Sequence, residues 1–348
     1  MRTLITAFLI GGQVALILTL VGLSDGMLGE IASRSKGTGA DILVRPSGGS
    51  ILGFSGTMSQ KIVEVIRKQP HVAKATGALV QGIGNFDSIT GINLNEFNDI
   101  SGGLKFLEGG PFRSGDDLIV DEVYARAKKL HVGSQTKDLP LKWNVCGIVE
   151  PGKLSRMFAE IGSLQDKYAA TGHVSVIYVK VDDASQIEPV TASLKSLLTD
   201  YQVFTVEEFV SLISVDSVPL LKQFTTVVIG LGAVSGFFIV LLSMYMAVLE
   251  RTREIGILKA IGASPGYIMG ILLREAVLLA VTGTIAGILL SYGARFLIHA
   301  LAPTWTASIV MDWWWRAGLI ALGASLVGAI YPGLKAARQD AIEALAYD

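Results

Sequence analysis

Three sets of residues have types and spacings that could do chemistry. Gly147, Gly152 and Lys153 fit the first part of a phosphate-binding loop, G-x-x-x-x-G-K, whose backbone N–H groups would cradle phosphates. The next residue is Leu154, not the Ser or Thr that would hold magnesium. Glu150 inside the loop repels phosphate and Pro151 lacks a donor N–H, so the match reads as chance. Asp116–Asp117 and Asp182–Asp183 are adjacent carboxylates that could form catalytic pairs, but they fall at expected turns and read as solvated. His71, His131, His173 and His299 lie far apart, with no metal-binding spacing. Cys146 is the sole cysteine, so no disulfide forms within the chain. The third set is the segment VLERTREIGILKAIGASPG, Val248–Gly266, which places two Glu, two Arg and a Lys between two of the most apolar runs. Its spacing suits a contact surface rather than a reaction centre.

The elements that position this segment follow from composition. The 348 residues are 51% hydrophobic and only 17% charged, with a mean hydropathy of +0.52. Soluble domains carry about 25% charged residues, so the deficit indicates a membrane protein. A net charge of −1 offers no basic field for nucleic acid. A bilayer core needs about 20 apolar helical residues. The runs at 3–24, 223–249, 276–294 and 317–334 contain no Asp, Glu, Lys or Arg and give four expected spans. Arg274, Arg295 and Arg316 flank the shorter two, where they can snorkel. Trp313, Trp314 and Trp315, with Trp305 before them, suit an interfacial aromatic belt. The first run is too long for a signal peptide and lacks an A-x-A site, so it reads as an uncleaved anchor. Gly232 and Gly236, Gly283 and Gly287, and Ala324 and Gly328 are spaced for close helix contacts.

Short loops set orientation. The loop 250–274 carries Arg251, Arg253, Lys259 and Arg274, the loop 301–312 carries no Lys or Arg, and the tail carries Lys335 and Arg338. The charged segment and both termini are therefore expected in the cytoplasm, and the long segment after the first span outside. That segment opens with an expected strand at Ala40–Pro46, a Gly/Ser-rich loop, a helix at Gln60–Gln69 and a strand at His71–Val80. It closes with a strand from Val174 to Val181, a helix from about Ser185 to Leu198 and the strand QVFTV. The Gly-rich middle contains the strand WNVCGIVE. The pattern predicts an α+β domain whose two ends pair around an inserted subdomain.

Glu250 to Ala263, ERTREIGILKAIGA, resembles the signature of MacB/FtsX-type ABC transporter permeases, E-[RK]-x-x-E-[IF]-G-x-x-[KR]-A-[IL]-G-A, throughout. Glu275 also matches a family Glu. The ending YPGLKAARQDAIEAL is similar to the family's, except that Ala341 stands where Pro is usual. LIVDEVYARAKKLHVGS…WNVCGIVEP resembles the inserted subdomain of MacB-type periplasmic regions. The family's basic amphipathic helix before the first span is here little more than Met1–Arg2. Independently, a helix from about Glu250 to Ile261 would be amphipathic, with Glu250 and Glu254 four apart and Arg253 sharing a face with Ile257. Gly262 would end it, and Pro265 cannot continue it.

The resemblance implies an integral membrane α-helical protein with four transmembrane helices plus an extracytoplasmic α+β domain with an inserted subdomain. The expected order is a span over 1–24, the outer domain over 25–218 with its insertion at about 91–171, and a span over 219–249. A coupling helix over 250–264, spans over 265–300 and 313–336 around the loop 301–312, and a tail over 337–348 complete it. Glu250, Arg251, Arg253, Glu254, Gly256, Lys259 and Gly262 are the implied ATPase-coupling residues. The implied partners are an ABC ATPase subunit that binds ATP and magnesium, and a second permease protomer, the same chain or a related one. A membrane-fusion protein and an outer-membrane channel are further candidates. The implied function is export of a hydrophobic compound, peptide, lipid or lipoprotein from the cytoplasmic membrane, with no catalysis or cofactor in this chain. The alternative is a non-transporting complex that senses a ligand or activates a cell-wall hydrolase.

Overall fold

The computed structural model describes residues 2–48, 56–84, 87–136, 139–214 and 219–339. The Gly/Ser-rich loop falls largely outside these residues, as does Ala341. The chain forms a helical unit, residues 1–26, 219–301 and 305–348, and a mixed α/β unit, residues 27–218 and 302–304.

Helix α1 (Arg2–Lys36) contributes to both units and extends beyond the end expected near residue 24. Met27, Leu28 and Ile31 maintain helix-forming apolar positions past Asp25, and Leu28 is buried. Arg34 and Lys36 in the last turn favour the negative end of the helix dipole. Gly39, at φ +71°, then turns the chain in a conformation that costs an L side chain about 1–2 kcal/mol.

The first half of the α/β unit contains β1 (Ile42–Pro46), β2 (Met58–Ser59), α2 (Lys61–Arg67), β3 (Val72–Gly84), β4 (Asp87–Ile92) and α3 (Leu94–Ser101). The inserted part adds β5 (Phe106–Gly109), β6 (Asp117–Asp121), α4 (Glu122–Lys128), β7 (Asn144–Val149), β8 (Met157–Glu160) and α5 (Ile161–Lys167). The return comprises β9 (His173–Val174), β10 (Val176–Val181), α6 (Ile187–Leu197), β11 (Tyr201–Thr205) and α7 (Val206–Leu212). Strand-to-helix junctions are capped locally. Asp121, Glu160 and Thr205 end their strands and accept N–H bonds from Tyr124, Ser163 and Glu208.

Among the described residues, nine strands form one sheet in the order β11-β1-β10-β3-β4-β8-β6-β7-β5, with β2 and β9 paired separately. The two ends of the unit do pair: β1 lies antiparallel between β10 and β11, with Ile42 opposite Val179 and Thr205. Strand β3 joins the halves, because Val72–Ala78 pair with β10 and Leu79–Gly84 with β4. One core centres on Ile42, Val44, Ile66, Ile177 and Leu194, the other on Leu118, Val120, Tyr124, Trp143 and Leu164.

The helical unit adds α8 (Pro219–Glu250), α9 (Thr252–Ala260), α10 (Pro265–Leu301) and α11 (Asp312–Arg338). Helices α1, α8, α10 and α11 are long and apolar enough to cross a bilayer. Ile10, Val14, Val240, Met244, Ala276 and Ala317 are buried between them. The small-residue pairs sit at these contacts. A Cβ at Gly283 would stand 2.6 Å from Ile10 Cγ2, one at Gly287 2.5 Å from Val14 Cβ, and one at Gly328 2.7 Å from the Phe237 carbonyl. Gly232 meets Ile17, and Gly236 meets Gln13. Glycine thus lets the helix backbones approach where a side chain would push them apart.

Candidate functional site

Helix α8 ends at Glu250, and Arg251, at φ −106° and ψ 14°, interrupts the helical path before α9. Glu250 therefore lies on α8 rather than on the short helix expected to begin there. The buried Thr252 hydroxyl donates to the Val248 and Leu249 carbonyls, each at 3.0 Å, and bridges the break. At the other end, Ala263 N–H donates to Leu258 O and Gly262 N–H to Lys259 O, both at 2.9 Å. These two bonds and Gly262 at φ +100° make a Schellman motif, as the sequence ending anticipated. Ser264 then caps α10 through the Tyr267 N–H at 3.2 Å, and Pro265 takes its first turn.

The short helix is thus held at both ends, and its two faces differ. Thr252, Ile255 and Gly256 are buried, and Ile255 joins the core of the bundle. Arg253, Glu254, Ile257, Leu258 and Ile261 are exposed, Ile261 by 80%. Two of the expected residues are tied to the bundle: Arg251 pairs with Glu275 at 3.6 Å, and Lys259 Nζ donates to the Gln339 carbonyl at 2.5 Å. Gly256 is a packing position. Sequence reading did not single out Leu258 and Ile261 as part of the outward face. Their signal was an apolar residue beside, not opposite, the charged ones.

The segment resembling a phosphate loop has another use. Lys153 Nζ donates to the Ser101 and Gly103 carbonyls, each at 2.5 Å, at the C-terminal end of α3. The chain then enters β8, not the helix that follows a phosphate loop. Of the aspartate pairs, Asp116 is exposed and bonds Lys167, while Asp117 is buried, contrary to the expected solvated turn. Burial alone would raise the Asp117 pKa, but the Arg113 and Ser114 N–H groups and the Ser114 hydroxyl together hold it below the ordinary value. Asp182 faces His71 at 3.3 Å, and Asp183 caps a short turn. Burial pushes the Cys146 thiol up to about 11, which removes it from thiolate chemistry near neutral pH.

A charged cluster not anticipated from sequence joins the extension of α1 to the inserted strands. Arg34 contacts Glu30 at 2.5 Å and Asp121 at 3.3 Å. Arg156 reaches Glu30 at 2.5 Å and the Thr304 carbonyl at 2.9 Å. Leu154 N–H donates to the Arg34 carbonyl at 3.1 Å. Burial raises the Asp121 pKa despite the Tyr124 N–H and Arg34.

Among the described residues, four membrane-length helices, a mixed α/β domain after the first and a held amphipathic helix between the second and third describe a multi-pass membrane protein. Family models agree: the MacB-like periplasmic core domain matches residues 3–197, and the FtsX-like permease C-terminal region matches residues 226–341. The chain belongs to the MacB/FtsX-type family of ABC transporter permeases. It is 31% identical over 286 residues to the uncharacterized ABC transporter permease YknZ of Bacillus subtilis (strain 168), covering 75% of this chain and 70% of that protein. It is 26% identical over 387 residues to the macrolide export ATP-binding/permease protein MacB of Escherichia coli, covering 99% of this chain but 58% of MacB. The periplasmic region of MacB from Actinobacillus actinomycetemcomitans aligns with 49% of this chain and 91% of that structure, at 18% identity and a TM-score of 0.37.

Proposed function

We propose that this chain is the membrane subunit of an ABC transporter, coupling ATP hydrolysis in a separate ATPase to rearrangement of its α/β domain on the far side of the membrane. The observation that carries this reading is the outward face of α9, where Ile257, Leu258 and Ile261 stand exposed beside Arg253 and Glu254. An apolar patch rimmed by charge is the ordinary make-up of a protein contact. The helix bearing it is fixed at both ends, so force on the patch reaches α8 and α10 rather than a loose loop. On this reading ATP and magnesium are bound by the partner, and the chain itself is not catalytic. A second permease protomer completes the complex. The MacB relatives are named for macrolide export, which supports an export activity here; the substrate class we propose is a hydrophobic compound, peptide, lipid or lipoprotein. On this reading α9 and both termini face the cytoplasm and the α/β domain lies outside the inner membrane, which the basic residues around α9 support.

Single cysteines test this sidedness, with Cys146 replaced. A Ser185→Cys chain is expected to react with an impermeant thiol reagent in intact cells, and a Ser264→Cys chain only after permeabilisation. Ser264→Cys loses one capping bond, about 1 kcal/mol, which the bundle tolerates. Labelling of Ser264→Cys in intact cells would place α9 outside and end the coupling proposal.

A further inference from the structure

Arg295 lies on α10 six residues before its end at Leu301, roughly 9 Å along the helix axis. It lines a cleft at the end of the helical unit away from α9, together with Thr19, Tyr292, Ser308 and Trp314. Two groups in this cleft lack partners among the described residues. The half-buried Arg295 guanidinium makes no ion pair or hydrogen bond, and the Thr19 hydroxyl oxygen is buried with no hydrogen-bond partner. The nearby acid Asp25 is already engaged, accepting from Ser308 Oγ at 2.7 Å. By contrast, Arg316 at the same end is stacked on Trp313 and Trp315, at 5.3 and 5.4 Å.

An unpaired guanidinium at the edge of the hydrocarbon is costly, and so is an orphaned hydroxyl. Both are satisfied by an acceptor carrying several oxygens and negative charge. The headgroup layer is about 5–8 Å thick on each side of the hydrocarbon, so Arg295 can reach it. Trp314 and Tyr292, edge to face at 6.4 Å, supply an amphipathic wall of the kind that sits at that level. The floor of the cleft has room for about one water-sized group, so one oxygen meets Thr19 while the rest of the headgroup stays at the mouth. We infer that this cleft binds the phosphate of an acidic phospholipid, held by a forked guanidinium contact from Arg295 and by the Thr19 hydroxyl. The site is independent of ATPase coupling.

The test uses the full chain in mild detergent supplemented with phosphatidylglycerol or phosphatidylcholine, with retained lipid counted by native mass spectrometry. The expected result is one phosphatidylglycerol per protomer, retained in preference to phosphatidylcholine. Arg295→Gln should lose at least about tenfold in retention, as expected for a charge-assisted contact. Arg295→Lys should recover part of it, Thr19→Val should weaken it less, and Arg316→Gln should leave it unchanged. Equal loss in Arg295→Gln and Arg316→Gln would mean only general attraction of acidic lipid to a basic rim, and would overturn the site. Inorganic phosphate that binds without lipid and displaces phosphatidylglycerol would assign the cleft to a free anion instead, and no preference in the unsubstituted chain would also overturn the proposal. Thr19→Val adds no charge change, so it keeps the test open should Arg295→Gln fold poorly.

Discussion

Reversing Glu254 to Lys should weaken association with the ATPase by more than tenfold while leaving insertion intact. Glu254 is exposed on the outward face of α9, between the charged Arg253 and the apolar Ile257 and Leu258. Mispairing a charge that becomes desolvated against a partner costs about 2–5 kcal/mol. Ile261→Asp should have a comparable effect, because it puts a charge on the most exposed apolar side chain of the helix. Neither substitution touches the four long helices, so expression and membrane localisation should persist. Co-purification of the ATPase with each variant, and the permease-dependent part of its ATP hydrolysis, are the readouts. Unchanged co-purification in both would reduce α9 to an ordinary interfacial helix.

The second large effect is expected for Arg156→Ala. That guanidinium is mostly buried and serves Glu30 and the Thr304 carbonyl, in a cluster whose Asp121 side chain is 1% exposed. Removing one member leaves the Glu30 and Asp121 charges short of compensation, which costs about 3–5 kcal/mol in buried clusters. Glu30 is partly exposed, so the low end of that range is expected. In a unit of this size about 3 kcal/mol lowers the Tm by roughly 6–12 °C. Lys105→Ala should shift it little, since the pair Lys105–Glu150 is solvent-exposed and such pairs contribute under about 1 kcal/mol. Thermal unfolding of the full chain in detergent, followed by near-UV circular dichroism, checks both. Equal shifts in the two variants would mean the cluster carries no special load.

What the sequence made legible was what is periodic or local. The four long apolar helices and the small pairs that face neighbouring helices came from composition and spacing. So did the strands at both ends of the α/β unit and the Gly262 terminus of α9. The extension of α1 was missed because Asp25 and Gly26 end the apolar run, although nothing there ends a helix. The inserted strands β5, β6 and β8 were missed because none shows a run that reads as a strand: β5 and β8 have four residues without alternation, and β6 is apolar only over Leu118–Val120 between two aspartates. Asp117 reads as a turn residue in sequence, and only the fold shows that Arg113 and Ser114 wrap its carboxylate. The cluster of Glu30, Arg34, Asp121 and Arg156 depends on contacts across more than eighty residues of sequence, which no local pattern encodes. At α9 the signature located the helix, but the break at Arg251 and the outward turn of Ile261 depend on packing around Thr252 and Ile255.

The central claim is that the outward face of α9 seats against an ATPase. A photo-crosslinking amino acid placed at Ile261, in cells that make the permease and its ATPase, tests this directly. The same group at Ile255, 8% exposed and packed into the bundle, is the control. The account predicts a covalent adduct to the ATPase from position 261 that is much weaker or absent from position 255. Adducts from position 261 confined to lipid, or equal ATPase adducts from both positions, would contradict it.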